Sequence, residues 1–392
     1  MQFAIAKAAF EPILMALHKS AADPKSPVPA LTCLHFASRS DGLLIEASNL
    51  VSTVRTTLPA DVCTVHIPGD ICIPAEALLR RVQAMPEGNL NVDINDLRAV
   101  ITTVSGQRRF MIHGLPGQDW PDHKLVRLDE ANARKFAVPT GVLNDLLRSV
   151  ERLASTNEEK LVLTHVNLVA MSGTLTAVAT DGGALGLRRA EVAGAEGGNR
   201  LLPGRGTKAL QKILESELAT EKEVYVTMGD NFTFGVSVGR MTFVTGTSPL
   251  PYLPYQEAVL DRYQWSDRVV VRRDHVLEVL SAARLAADNG GVIFSLKKGR
   301  AQHFEVHSKN PDSGTVTDEV QIENVIQLRS DEDRAVKVDP ILLHKAIAPM
   351  EEEVVISVPI GAIDPLLLCN ASEDGTPFGR CKHLGVVMPM AM

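Results

Sequence analysis

Hydrophobic and polar positions along this chain fall into one pattern that is written three times. A short alternating run, Gln2-Phe3-Ala4-Ile5, leads into apolar residues at helical spacing, Phe10, Ile13 and Leu14. The same features return at Lys135-Phe136-Ala137-Val138 with Leu143, Leu146 and Leu147. They return again at Arg268-Val269-Val270-Val271 with Val276, Val279 and Leu280. Phe3, Phe136 and Val269 are spaced 133 residues apart, and so are Ile5, Val138 and Val271. Period two followed by apolar residues at i, i+3 and i+4 reads as a strand running into an amphipathic helix. The period exceeds the roughly 20–50 residues of a solenoid unit and has the length of a domain. The chain therefore reads as three similar domains in series, 1–128, 129–262 and 263–392.

Each repeat carries two helical stretches. The first set is Lys7–Lys19, Thr140–Ala154 and Arg273–Ala287; the second is Pro74–Ala84, Gly204–Glu217 and Asp339–Ala348. Pro74 and Pro340 stand near helix starts, where the missing N–H costs nothing. Alternating runs at 91–94 and 99–104, at 223–227 and 232–236, and at 353–358 are broken by Asn, Asp and Gly. They read as antiparallel hairpins with one buried face. The fold class is α+β, two helices on antiparallel strands in each domain. The Gly-rich stretch Ala193–Asn199 and the segment Asn370–His383 read as surface loops.

Composition adds little until charge is resolved along the chain. A length of 392 residues exceeds what one core supports, and aromatics at 4% leave aliphatic cores. Cys33, Cys63, Cys72, Cys369 and Cys381 are odd in number and show no CxxC pairing; Cys369 and Cys381 could bridge one loop, but reduced thiols are expected. No signal peptide or membrane-length apolar run is visible, so a cytoplasmic protein without membrane contact is expected.

The net charge of −7 argues against nonspecific nucleic-acid binding, yet the helices lean the other way. Their cations are Lys7, Lys19, Arg80, Arg81, Arg148, Arg152, Arg205, Lys208, Lys212, Arg272, Arg273, Arg284 and Lys345. These outnumber the helical acids Glu11, Glu76, Asp145, Glu151, Glu215, Asp274, Glu278 and Asp339. Any amphipathic helix needs a charged face, but six equivalent helices biased alike point to one positive surface. Such a surface attracts a phosphate backbone without reading sequence. Sparse aromatics argue against a single-strand specialist and leave duplex DNA as the natural ligand.

Several short segments resemble the bacterial DNA polymerase III β subunits, the replication sliding clamps. They are Ala177-Val178-Ala179-Thr180-Asp181-Gly182, Gly114-Leu115-Pro116-Gly117-Gln118-Asp119-Trp120-Pro121, Leu253-Pro254, and Val386-Val387-Met388-Pro389-Met390 near the C-terminus. With the three repeats, the resemblance covers the full length. It implies a head-to-tail homodimer, a six-domain ring lined by helices, that holds double-stranded DNA independently of sequence and does no chemistry. It also implies the polymerase III α subunit, the clamp loader and other clamp-binding-motif proteins as partners. Their peptides would enter a pocket at Leu163, Thr180, Gly182, Leu185, Pro254, Val259, Val386, Val387, Met388, Pro389 and Met390. Lys25 matches a family position that touches DNA. No cofactor or metal is implied.

The chain departs from the family in two places. Gly183-Ala184 stand where the family usually shows His-Arg, and Ala391-Met392 where it ends in a basic residue and Leu. Both changes remove polar or cationic groups from the pocket. A second reading is therefore a divergent or non-encircling peptide-binding hub of the same fold. Without the resemblance, Met388 and Met390 would read as ordinary core or terminal packing residues. An enzyme is not expected: His303 and His307 share a strand face but sit roughly 13 Å apart, too far for one metal. Thr180-Asp181-Gly182-Gly183 lacks the Lys and the following helix of a phosphate-binding loop.

Overall fold

At six points a strand ends and a helix begins almost at once. The computed structural model describes residues 1–22, 25–215, 222–286, 290–297, 303–310, 314–329, 333–361, 363–376 and 380–390. The helices are α1 (Lys7–His18), α2 (Ala75–Gln83), α3 (Thr140–Glu151), α4 (Gly204–Leu214), α5 (Arg273–Ala283) and α6 (Pro340–Ile347). Strands Gln2–Ala6, Asp70–Pro74, Arg134–Pro139, Gly198–Pro203 and Trp265–Arg272 lead directly into α1 to α5. Arg334–Val338 reaches α6 through Asp339, whose carboxylate accepts from the Ile341 and Leu342 amides, with Pro340 at the first helical position. Every expected helix is present and slightly shorter than its sequence pattern. Glu217 and Ala287, expected at two helix ends, lie outside the described residues.

Contacts divide the chain into two units. One is Met1–Asn144 with Ala170–Gly173 and Val192–Pro249; the other is Asp145–Val169 with Thr174–Glu191 and Leu250–Met392. The middle repeat thus contributes to both.

In the first unit one sheet runs, in spatial order, Cys63–Ile67, Gln2–Ala6, Asn89–Asn95, Arg98–Thr103 and Arg109–His113. A second runs Leu115–Pro116, Asp70–Pro74, Cys33–Arg39, Gly42–Ser48, Ser52–Leu58, Met241–Gly246, Thr233–Val238, Glu223–Met228 and Arg134–Pro139. Its central pairing joins segments far apart in sequence: Val54 faces Phe243 and Arg55 faces Thr242, antiparallel. In the second unit the run is Thr174–Thr180, Ala184–Glu191, His383–Val387, Leu366–Asn370, Glu353–Pro359, Trp265–Arg272, Gly314–Gln327, His303–Asn310, Val292–Leu296 and Arg334–Val338. Here the long-range pairing sets Leu187 against Leu384. The hairpins expected near 91–104 and 223–236 pair antiparallel.

Alternation explains the core. Phe3 and Ile5 point inward from the first strand and meet Phe10, Ile13, Leu14 and Leu17 of α1, all buried. Phe3, Phe10 and Phe36 form a ring cluster with centroids 6.0–6.4 Å apart. In the third repeat Val269, Val276, Val279 and Leu280 are buried at the matching positions, so aliphatic volume replaces aromatic. The two expected loops are tied down more than surface loops require. Ala195 is buried in one; in the other Asn370, Cys381 and His383 are buried and Glu373 accepts from the His383 amide at 3.1 Å. Residues 377–379 of the second loop lie outside the described residues. All five cysteines are free and buried, and burial pushes their thiols up, to about 11 for Cys33 and Cys381 and about 12 for Cys63, Cys72 and Cys369. No described helix is long and apolar enough to cross a membrane.

One charged group lies deep in the first unit. Glu46 is 1% exposed, with Arg127 on one carboxylate oxygen at 2.5 Å and His35 Nδ1 3.7 Å from the other. His35 in turn contacts Asp70 at 2.8 Å and stacks on Trp120. Burial pushes the Glu46 carboxyl up, but Arg127 and His35 outweigh it and hold it down at about 2. A depressed carboxyl stabilises the fold above its unfolded value near 4.5, and that stabilisation fades as pH falls towards 2. Glu46→Gln should therefore lower stability at pH 7 by about 3 kcal/mol, as breaking a buried pair does. Urea unfolding should show the difference from the native protein shrinking steadily below pH 4.5.

Candidate functional site

The segment after Thr174–Thr180 must reverse tightly to pair with Ala184–Glu191, and its side chains arrange this themselves. Thr180 Oγ1 donates to the Ala184 carbonyl at 2.6 Å and accepts from the Gly182 amide at 3.0 Å. Asp181 Oδ1 accepts from the amides of Gly183 and Ala184 at 2.8 and 2.9 Å, an Asx turn. Gly182 sits at φ +94°, a backbone that disfavours any Cβ. The last strand then closes on this turn: Leu185 pairs with Val386, and the Met388 amide donates to the Gly183 carbonyl at 2.8 Å.

These elements, with the segment around Tyr255, enclose an apolar cavity of about 150 Å³ within the second unit. Of the residues expected at a pocket, Thr180, Gly182, Leu185, Pro254, Val259, Val386 and Met388 line it. Leu163 borders it, one methyl 3.8 Å from where a Gly182 Cβ would stand. Three others do not line it. Val387 alternates to the opposite face of its strand and is fully buried. Pro389 bridges to Val338, and the Met390 amide donates to the Lys337 carbonyl at 2.8 Å, so the chain is leaving the cavity by then.

Ala184, Leu253, Tyr255 and Ala258 also line the cavity and were not assigned to it from sequence. Ala184 and Leu253 lie beside assigned residues and could have been included on that ground; for Tyr255 and Ala258 the turn that carries them inward gave no sequence signal. A Cβ at Gly183 would meet the Leu342 methyl of α6 at 2.7 Å, so the Leu342 side chain would have to shift to admit one. Ala391-Met392 lie outside the described residues. The wall carries no charged side chain and only one hydroxyl group besides that of Tyr255. It can hold apolar side chains.

The helix cations divide by environment. Lys19, Lys25, Arg80, Arg148, Arg205, Lys208, Lys212, Arg272 and Arg284 are exposed; Arg81, Arg152, Arg273 and Lys345 are half-buried. Arg80 pairs with Glu76, Arg272 with Glu352, Arg81 donates to the Ala77 carbonyl, and Arg273 donates to the Met350 carbonyl. Lys7 corrects the sequence expectation of a DNA-facing group. It is 7% exposed, and its Nζ donates to the Met85 carbonyl at 2.8 Å and to Glu87 at 2.9 Å, with Glu11 at 3.6 Å. Its amine is spent inside the first unit.

Two half-buried histidines mark where cations gather. Burial lowers the His18 pKa, and the charges of Lys19, Lys212 and Arg80 lower it further against Glu76. Burial and the charges of Arg284 and Arg152 likewise lower His344, which gathers α5, α3 and α6. Among the described residues no group of three or more His, Cys, Asp or Glu is placed to hold a metal ion.

The N-terminal third matches a known family. Residues 1–125 fit the family described as DNA polymerase III beta subunit, N-terminal domain. The β sliding clamp of Bacillus subtilis strain 168 is 23% identical over 369 residues, covering 90% of this chain and 92% of the relative. The similarity to β sliding clamps thus runs well beyond the matched N-terminal domain. The crystal structure of the DNA polymerase sliding clamp from Bacillus subtilis superposes with a TM-score of 0.85 at 21% identity, covering 100% of this chain and 99% of that one. The DNA polymerase III β subunit structure from Thermotoga maritima gives 0.86 at 20% identity with the same coverage. The clamp fold therefore persists where four residues in five have changed. Gly182→Ala should lower stability by about 1 kcal/mol through its positive φ, measurable as a lower urea midpoint at unchanged m-value.

Proposed function

We infer that this chain is a sliding clamp, a non-catalytic subunit that keeps a DNA polymerase on its template. The observation that carries this is homology over nine-tenths of the chain, combined with one strand–helix design repeated three times. We further read the repeats as three clamp domains, 1–128, 129–262 and 263–392, and the working form as a head-to-tail dimer closed around duplex DNA. Lys19, Lys25, Arg148, Arg152, Arg205, Lys208, Lys212, Arg284 and Lys345 are the cations proposed to face the phosphates. Clamp-binding-motif peptides of the polymerase α subunit, the clamp loader and other partners would seat apolar anchors in the cavity at Leu185, Val386 and Met388. The protein would act at the nucleoid.

The dimer follows from the repeat itself. Ser52–Leu58 pairs with Met241–Gly246, and Ala184–Glu191 pairs with His383–Val387: the same strand of one repeat meets the last strand of the next. The equivalent strand of the third repeat is the first part of Gly314–Gln327. It pairs with His303–Asn310 through residues 314–321 and with Trp265–Arg272 only beyond them. Arg109–His113, the last strand of the first repeat, ends its sheet with one side unpaired among the described residues. Two such edges invite each other in a second copy.

Register transfers as well. Phe36–Ile45–Thr56 and Phe294–Val306–Asp318 are matching rows, each beginning two strands before the edge. Val92–Ile101–Phe110 matches Val226–Val236–Phe243 in the same way. Since Val54 faces Phe243, Val316 of one copy should face Phe110 of the other. Running antiparallel, Thr317 then meets Arg109 and Asp318 meets Arg108, so a pair of opposite charges lies across the seam.

Each part has its own test. Loaded by a clamp loader onto nicked circular plasmid, the protein should remain until the plasmid is linearised and then be lost. Equal, salt-sensitive binding to both forms would reject encirclement, and a monomer without retention would favour the non-encircling hub. In sedimentation velocity, Asp318→Arg and Arg108→Asp should each shift the protein towards monomer, while the double swap should recover dimer. Leu185→Asp should weaken binding of a labelled clamp-binding-motif peptide at least about tenfold, the scale of a lost hot-spot contact.

A further inference from the structure

Turns that need a left-handed backbone usually carry Gly or Asn, because a Cβ is crowded there. The described non-glycine residues with positive φ are Leu50, Asp96, Leu97, Ser172, Asn231 and Phe232. Leu50 (φ 67°) and Phe232 (φ 55°) are large, apolar and exposed, at 36% and 55%. A bulky residue held in this region is a true outlier, and such strain gathers where it serves a function.

Both residues lie in the first unit, at one end of the strand Met241–Gly246. The Gly246 amide donates to the Val51 carbonyl at 3.2 Å, and the Thr247 amide to the Phe232 carbonyl at 2.7 Å. Successive strand amides point to opposite sides, so Leu50 and Phe232 flank this end roughly 10 Å apart, two strand spacings. Leu50 also stands 133 residues before Gly183, the residue beside the cavity of the second unit. One point of the repeat is thus recessed in one unit and projecting in the other.

The surroundings are acidic. The Asp230 amide donates to the Asp129 carbonyl at 3.1 Å, and Asn231 and Asn132 bind the carboxylates of Asp129 and Asp230. Glu130 is exposed beside them. The neighbouring cation, Arg200, is committed to the carbonyls of Gly197, Asn199 and Gly229 at 2.8–3.2 Å. Exposed apolar groups with carboxylates on the Phe232 side complement a segment that mixes apolar and basic side chains.

We propose that Leu50 and Phe232 form a second docking surface, taking a polypeptide segment whose apolar anchors lie among lysines or arginines. It adds to the clamp reading a partner site separate from the cavity, and its binding is read independently of DNA retention.

The test uses the full-length protein and two labelled probes, a short amphipathic Leu/Lys peptide and its Leu/Glu counterpart, followed by fluorescence anisotropy. The Leu/Lys peptide should bind and the Leu/Glu peptide should not. Leu50→Ser with Phe232→Ser, and separately Asp129→Asn with Asp230→Asn, should each weaken binding at least about tenfold. Leu185→Asp in the cavity should leave it unchanged. Phe232→Gly should lose binding while its Tm stays equal or rises, because the backbone strain is relieved. Binding that survives the Leu50/Phe232 change, that is lost with Leu185→Asp, or a Phe232→Gly variant with lowered Tm would each overturn the proposal. So would assembly beyond the dimer that the Leu50/Phe232 change abolishes, which would make the occupant a second copy. Failure of the native protein to be retained on circular DNA would sink the clamp reading and leave this surface standing.

Discussion

Everything in this molecule depends on how sheet edges are satisfied. A strand with one unpaired side offers a row of amide donors and carbonyl acceptors that must find partners or water. Twice within the chain the edge of one repeat is closed by the last strand of the next, Val54 against Phe243 and Leu187 against Leu384. These pairings tie segments nearly 200 residues apart, so the repeats are joined through backbone hydrogen bonds as well as through linkers. Side chains can therefore drift, as identity near 20% shows, while the backbone solution stays fixed.

Much of the fold was legible because the signal was periodic. Phe3, Phe136 and Val269 announce the same inward position, and the helices behind them start within a residue or so of the sequence pattern. The seams were not legible. Nothing in Ser52–Leu58 names Met241–Gly246 as its partner, because strand pairing is a matter of topology rather than of local composition. The cavity was largely readable from short segments that share a turn, Thr180 to Leu185 above all. Its floor at Tyr255 and Ala258 comes from a turn that local patterns do not encode. Lys7 was misread for a related reason: a cation on a helix looks solvated in sequence, but its stem follows the packed face of α1 and its amine reaches the carbonyl of Met85 from the end of α2.

The departures from the family pattern have a physical reading. Gly183 leaves a gap that Leu342 of α6 occupies, and Ala184 adds a methyl to the cavity wall. The turn is held by Thr180 and Asp181 through hydrogen bonds that do not involve the side chains at 183 and 184. Local geometry and wall chemistry are thus separable here. The frame of the cavity stands with an apolar wall at these two positions, which suits shape and hydrophobic contact.

The five cysteines bear on how the molecule can be handled. Burial keeps each as a neutral thiol at physiological pH, and a neutral thiol is neither a nucleophile nor easily oxidised. Oxidants and maleimides thus find little to attack in the native chain. A cysteine placed on an exposed strand edge would be the reactive group in an otherwise silent background. Cross-linking chemistry can then follow the opening and closing of a seam without first stripping the protein of its own sulfur.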